Sequence, residues 1–440
     1  MTPYWPETVP DCPERYRATG GPVDVRVAFQ PERGPEITRP GTTARWEEWS
    51  LPMAPFTLAQ FNTFEAWFDS DLARGSKAFA WRHPVTGVIG LWRFKSGPRP
   101  YEVAQTAKGY VLVSFTLVKQ PGTPWWASYI PVGKTSVPLL VIDFQNGRYG
   151  RNGDREAITA VTTFTRASAG SFLGANGLIQ TVGNNQARID ANGLILGAAR
   201  TNLSFRSAEF DNATWTKAQT TVTANAAVAP DGLTAAEKLI PTAVAADHVT
   251  SQTFAGITTG QQYTYSVFFK ADGYGWARVS LGTSFGSNWA FVNLATGALG
   301  ATSGQTSITA TSFGNGWWRL SGTVTATATG NGLIAIYALN ADSFTTFAGN
   351  GTSGILAWGA QVELGADASD YIATTTAAAT RAVESINITN AVPACDLRIV
   401  NRAGVVTDTL ATSITAGSWP GALAAGARSI VAFPVGVLGP

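Results

Sequence analysis

Tyr274, Trp276, Arg278, Phe285, Asn288 and Trp289 form the densest group of chemically capable residues in this chain, and the chemistry they suggest is recognition rather than bond breaking. Indole and phenol rings offer flat faces to the C–H groups of a sugar ring, while Arg and Asn supply directed hydrogen bonds to its hydroxyls. The group runs along two candidate strands and their connection, so a glycan site could be built there. The competing use is packing, because an aromatic residue on a strand more often fills a core than lines a site. Trp317, Trp318 and Trp358 are assigned to the core on that ground, Trp358 because it stands in phase with Leu356, Val362 and Leu364.

Residues for catalysis are few. His83 and His248 are the two histidines, and neither has a second histidine or cysteine at ligand spacing, which argues against a metallohydrolase. His248 is expected at the start of a strand, hydrogen-bonded to backbone or solvent. Gly282 to Gly286 spell GxSxG but lack the strand-to-helix context of a nucleophile elbow, and Gly133-Lys134-Thr135 lacks the upstream glycine of a phosphate loop. The acidic residues Glu237, Asp247, Asp272, Glu363, Asp367 and Asp370 read as turn and strand-edge positions. No cofactor is expected, although some of these carboxylates with backbone carbonyls could hold a structural calcium. Paired carboxylates of a glycosidase meet only in the fold, so a glycan depolymerase stays open as an alternative. Cys12 and Cys395, near opposite ends, read as ordinary buried thiols.

A net charge of +2, assembled from 14% charged residues, gives no field that would draw in nucleic acid. Apolar runs such as Leu139 to Ile142 are too short to cross a bilayer, so membrane insertion is not expected. Prolines stand where a signal peptide would need an apolar stretch, which implies a soluble protein kept in the cytosol of the producing cell.

The elements that must position the candidate site follow from composition and periodicity. Of the 60 charged residues, 26 fall in the first 127, which separates that part from a remainder whose surface is Thr, Ser, Asn and Gln. The boundary is set at PGTPWW, Pro121 to Trp126. Within residues 1–127, Leu58, Phe61, Phe64, Phe68 and Leu72 recur at helical spacing over Thr57 to Gly75, with Thr57 and Gln60 as a capping box and Gly75 as a left-handed cap. Strands are expected at Asp24 to Phe29, Ala44 to Leu51, Lys77 to Trp81, Gly90 to Phe94 and Tyr110 to Lys119, giving one helix on a small antiparallel sheet. Residues 128–195, dotted with Asn-Gly turns, read as a β-rich joint.

Residues 196–382 read as a two-sheet sandwich. Tyr263, Tyr265, Val267 and Phe269 alternate with Thr264, Ser266, Phe268 and Lys270. Further strands are expected at Trp276 to Leu281, Trp289 to Leu294, Trp317 to Val324, Leu333 to Leu339 and Ile355 to Leu364, with no helical pattern between them. Residues 383–440 read as a small β appendage. The fold class is therefore mainly β and multidomain, with a small α+β domain in front.

Several motifs follow in order from Phe164 to Arg381: RTNL at Arg200, NATW at Asn212, PDG at Pro230, GQQYTYSVFFKA, GNGWWRLSG, LAWGAQVELG and DYIAT at Asp370. In that order they resemble the lectin-like jelly-roll modules carried on bacteriophage tail fibres and head spikes. The first part, with Trp5-Pro6, a FEAWF helix and a closing VLVSFTL strand, resembles small phage tail-associated virion proteins. Together the resemblances imply a virion structural protein, assembled in the host cytoplasm and present in multiple copies or as a homo-oligomer. Its N-terminal domain would dock on other virion proteins, tail or head, and its sandwich would bind host cell-surface glycan without cleaving it. Arg200 and Arg381, in the motifs, are expected to be structural. A purely structural decoration or connector protein is the other alternative.

Overall fold

The computed structural model describes all residues except 1–4, 7, 15–16, 24–25, 30–36, 41–46, 106–108, 132–133, 135, 421–422 and 440. The chain divides into two compact units: residues 1–163 with 387–419 and 427–440, and residues 164–386 with 420–426.

In the first unit, Tyr110–Gln120 is the centre of a seven-stranded antiparallel sheet. Its eleven residues alternate buried and part-exposed, so one face carries Val111, Val113, Phe115 and Leu117 into a core. Glu47–Pro52 and Ile89–Phe94 flank it, and Phe79–Arg82 pairs with Ile89–Phe94. The helix Leu58–Ser70 packs Phe64, Trp67 and Phe68 against this core. Trp5 lies among them, with ring centroids 5.2 Å from Trp67, 5.7 Å from Phe64 and 5.7 Å from Phe115.

The expected helix is found, with two differences. Leu58, counted in the apolar stripe, is 62% exposed because it stands at the first helical position, and Trp67 takes a buried place instead. The helix also ends at Ser70, before Gly75, because Ala73, Arg74 and Gly75 all adopt left-handed φ and the Arg74 N–H turns back to Phe68 O at 2.9 Å. At the other end the capping box is present: Gln60 N–H donates to Thr57 Oγ1 at 3.3 Å and Thr57 N–H to Gln60 Oε1 at 2.8 Å. Thr57→Ala should therefore cost this domain about 1 kcal/mol. An unchanged denaturation midpoint, followed by tryptophan fluorescence, would remove the cap from the account.

Asp24 and Val25, and Ala44 to Trp46, lie outside the described residues, and the expected strands there begin at Arg26 and Glu47. Cys395 is buried as expected, whereas Cys12 is exposed, because it sits in the irregular N-terminal segment and not in a strand. The boundary segment packs rather than links: Trp126 is buried with Ala80, Ile89 and Val137.

The segments read as joint and appendage combine. Leu140–Asp143 pairs with Ala427–Pro434, which pairs with Val392–Asn401, in a six-stranded sheet bounded by Asp154–Arg155 and Val406–Ile414. The remainder of the joint, from Phe164, belongs to the second unit. Local turn signals identify such strands but carry nothing about a partner far along the chain.

The second unit is a sandwich of two six-stranded antiparallel sheets. Its eight central strands are β1 (Thr234–Pro241), β2 (Val249–Ile257), β3 (Gln262–Asp272), β4 (Trp276–Thr283), β5 (Trp289–Asn293), β6 (Trp318–Thr325), β7 (Gly330–Leu339) and β8 (Gly354–Leu364). They lie in the orders β1-β8-β3-β6 and β2-β7-β4-β5, which is jelly-roll winding. Tyr263, Tyr265, Val267 and Phe269 from one sheet meet Ala277, Val279, Leu281, Ile334 and Ile336 from the other in the main core.

Trp358 is buried, but not in that core. Gly359 takes a left-handed φ of +65° at a register shift between β3 and β8, which turns Trp358 outward while Ala360 and Val362 point inward. Trp358 instead joins Phe268, Trp317, Leu356 and Tyr371 in a second cluster on the outer face. Leu364, expected in phase with it, is 51% exposed, and Trp318 is half-buried.

The motif residues stitch the unit together. Asn202 is fully buried and donates to Ala360 O and Ile372 O while accepting from Ser204 N–H and Val362 N–H. Tyr371 hydroxyl bonds Ser207, and Trp215 Nε1 donates to Arg206 O. Arg200 and Arg381 face each other across a short strand pair, Arg200 reaching Leu364 O and Asp367, Arg381 reaching Ala198 O.

Candidate functional site

Residue alternation on three neighbouring strands builds an aromatic face on the outside of one sheet. On β4, Ala277, Val279 and Leu281 enter the core, so Trp276 and Arg278 point outward. On β5, Ala290 and Val292 enter the core and Trp289 and Phe291 point outward; on β7, Ile336 and Ala338 enter and Tyr337 points outward. The strand register sets Arg278 directly opposite Phe291 on one side and Tyr337 on the other. Its guanidinium carbon stands 4.4 Å from the Tyr337 ring centroid, 5.6 Å from Phe291 and 5.7 Å from Trp289. Contacts of that kind hold a cation by the ring quadrupole and fix the guanidinium on the face. Trp276, Arg278, Trp289 and Tyr337 are all half-buried, and Phe291 beneath the guanidinium is buried.

Three of the six residues singled out from sequence thus share this face: Trp276, Arg278 and Trp289. The other three do not join them. Phe285 is 2% exposed and packs edge-on against Tyr263 inside the sandwich. Asn288 is 3% exposed and is consumed by the β4–β5 connection, accepting from Leu281 N–H at 2.9 Å and donating to Leu281 O at 2.6 Å. Tyr274 packs against the core, its hydroxyl accepting from Asn350 N–H at 3.1 Å. Phe291 and Tyr337 were not anticipated, yet each is an aromatic residue out of phase with the aliphatic positions of its strand, which is the signal that could have found them.

A second concavity, a cleft of about 420 Å³, lies where Ser171, Asp231, Trp358, Tyr371, Thr380 and Arg381 meet. Its two rings are 3% and 7% exposed, so it offers little aromatic surface. Beside it Glu384 accepts from Arg166 Nη1 at 2.8 Å and from Arg188 Nε at 2.7 Å, and Arg188 also binds Asp370.

The candidate calcium ligands are engaged separately. Asp272 pairs with Lys238 at 2.8 Å, Asp367 with Arg200, Asp370 with Arg188, and Asp247 accepts from Thr346; Glu363 accepts from Ser369 and Gln361. Among the described residues no three His, Cys, Asp or Glu side chains gather as a metal set. Burial pushes the Glu237 carboxyl up to about 8, and the adjacent Asp211 carboxyl adds to the shift. Nearby, the Lys217 ammonium donates to Asp211 O and Asn212 O at 2.6 Å each, placing a cation on those carbonyls.

The histidines have structural roles. His248 is fully buried, its ring nitrogens 2.5 Å from Gln219 O and 2.8 Å from Phe347 O. His83 Nδ1 accepts from Val85 N–H and Thr86 N–H, which leaves Nε2 to donate to Glu47.

No family model matches the sequence, and no curated protein matches it. Among solved structures, a Clostridium thermocellum endo-1,4-β-D-xylanase 10B carrying CBM22-1 and GH10 modules, complexed with xylohexaose, is similar over 38% of this chain and 29% of that one, at 18% identity and a TM-score of 0.23. A Paenibacillus xanthan lyase is similar over 95% of this chain and 35% of its own, at 12% identity and a TM-score of 0.18. The chain thus spans about a third of the length of each, and TM-scores this low establish no shared fold.

Proposed function

We propose that this chain is a non-catalytic glycan-binding protein of a phage particle, attaching it to the host through the outer face of β4, β5 and β7. The observation that carries the binding role is the convergence of Trp289 and Tyr337 on Arg278, with Trp276 two residues along the strand on the same sheet face. Rings held at that spacing offer stacking surface to sugar C–H faces, and the guanidinium supplies directed donors between them. The particle context is supported by the ordered motifs from Phe164 to Arg381 and by the WP, FEAWF and VLVSFTL motifs of the first part. An open face of this kind binds one glycan weakly, and copies arrayed on a particle raise the effective concentration of each further contact.

The test is binding of the full chain, displayed multivalently, to extracted bacterial surface polysaccharides. Trp289→Ala with Tyr337→Ala should weaken binding at least about tenfold, or about 1.4 kcal/mol, with the fold intact by circular dichroism. A folded wild-type chain that retains no polysaccharide would leave a structural decoration protein as the better description.

A further inference from the structure

We infer that the glycan recognised by this face is acidic, its carboxylate pairing with Arg278; the inference rests on the glycan-binding reading above. A guanidinium presents five N–H donors in one plane and stays charged at any physiological pH. For Arg278 none of the five meets an acceptor among the described residues, and Nε is enclosed without a partner. No carboxylate among the described residues comes within ion-pair distance of it. Every other arginine of this unit has a carboxylate or an acceptor for at least one of its N–H groups, although Nε of Arg319 and Arg381 is likewise enclosed without one. Arg166 and Arg188 pair with Glu384, Arg200 with Asp367, Arg206 with Glu209 and Arg381 with Asp370, while Arg319 donates to Ser266 Oγ and Ser369 O. Arg278 is the exception, and it is the one that stands at the centre of the aromatic face.

Leaving a half-buried cation without anion or acceptor is unfavourable, and ring contacts offset only part of that. The rings block the guanidinium's flanks and fix its position, so a planar, bidentate acceptor arriving from solvent fits it best. A sugar carboxylate has that shape and charge, whereas neutral hydroxyls satisfy the donors and leave the charge uncompensated. Asp342, which lies beside Trp276 near Gly300, accepts from Ala301 N–H and is taken up there. The face therefore combines stacking platforms for the sugar ring with one cation for its acid group.

The experiment uses the full chain and three polymers, polygalacturonate, alginate and polysialic acid, each beside its carboxyl-reduced neutral form. Wild type should retain at least one acidic polymer and bind the reduced form at least tenfold more weakly. Arg278→Gln should lower affinity for the acidic polymer to that for the reduced one, and Arg278→Lys should restore part of the difference. Equal binding of acidic and reduced polymers, abolished by Trp289→Ala, would overturn the acidic assignment and leave the glycan site standing. Unchanged acidic binding by a folded Arg278→Gln variant would overturn it as well. Retention of no polymer of either kind would overturn both readings, and the comparison of polymers on wild type decides the matter even if a variant fails to fold.

Discussion

Replacing Glu384 with alanine should lower the unfolding temperature of the sandwich unit by roughly 10 °C, the expected consequence of about 3–5 kcal/mol lost from a unit of this size. The Glu384 side chain is fully enclosed, as is that of Arg166, and that of Arg188 is 1% exposed. Its two oxygens accept from Arg166 Nη1, Arg188 Nε and Arg188 Nη2. Burial alone would pull the Arg188 pKa down, but the bonds to Glu384 and the charge of Asp370 raise it above the ordinary value. Alanine removes one anion from between two buried cations and leaves Asp370, which Arg188 shares with Arg381, as the remaining counter-charge. Arg166 keeps its bonds to Ser168 O, Val182 O and Gly183 O, so the segment stays tethered while the charge goes uncompensated. Glu384→Gln preserves volume and one acceptor and should cost less than alanine. Calorimetry of the full chain checks this, and a drop below about 2 °C in the transition of this unit would mean that the network contributes little.

The strands of the sandwich were legible because period-two alternation survives wherever one face is buried: Tyr263 to Phe269, Ala277 to Leu281 and Ile334 to Ala338 each show it. What alternation cannot convey is the partner. Arg278 meets Tyr337 only because β4 pairs with β7 in one register, and Leu140–Asp143 meets Ala427–Pro434 across most of the chain. The site was legible by half for the same reason. Trp276, Arg278 and Trp289 were found as chemically apt residues close in sequence, while Phe285 and Asn288, equally apt, belong to the β4–β5 connection, where the chain turns inward and alternation no longer applies. At Gly359 a single left-handed residue reverses the phase of β8, sending Trp358 to the outer cluster while Val362 enters the core.

The residues that carry the phage-module resemblance and the residues of the aromatic face are different sets. Asn202, Trp215, Tyr371 and Arg381 close the sandwich through buried and part-buried hydrogen bonds, and none of them lies on β4, β5 or β7. Such a division lets the framework stay constant while outward positions vary, since an exchange at Trp289 or Tyr337 leaves the core-facing neighbours Ala290 and Ile336 in place. Motif similarity in this unit therefore speaks to the scaffold, and the proposed glycan contact rests on Arg278 and its rings.

Stability of the sandwich unit should fall as pH rises from about 4.5 to about 8, and Glu237→Gln should abolish most of that fall. Glu237 is 3% exposed; burial, and then the neighbouring Asp211 carboxyl, raise its folded-state pKa from 4.5 to about 8. The folded state thus retains a proton that the unfolded chain releases above about 4.5, so the contribution is fully present below that pH. It is lost progressively until the folded-state carboxyl also ionises near 8, for a total of roughly 5 kcal/mol. Lys217 does not cancel it, because its ammonium is directed at Asp211 O and Asn212 O and burial draws its own pKa down. Glutamine has the shape of the protonated acid: its oxygen can accept from Asp211 N–H, as Glu237 Oε2 does at 2.7 Å, and its amide can donate to the Asp211 carboxylate. The variant should match wild type near pH 4.5 and exceed it by several kcal/mol at pH 8.5. Hydrogen exchange of the β1 and β8 amides reads this unit alone, and parallel pH profiles for variant and wild type would show that Glu237 is ionised in the folded protein throughout.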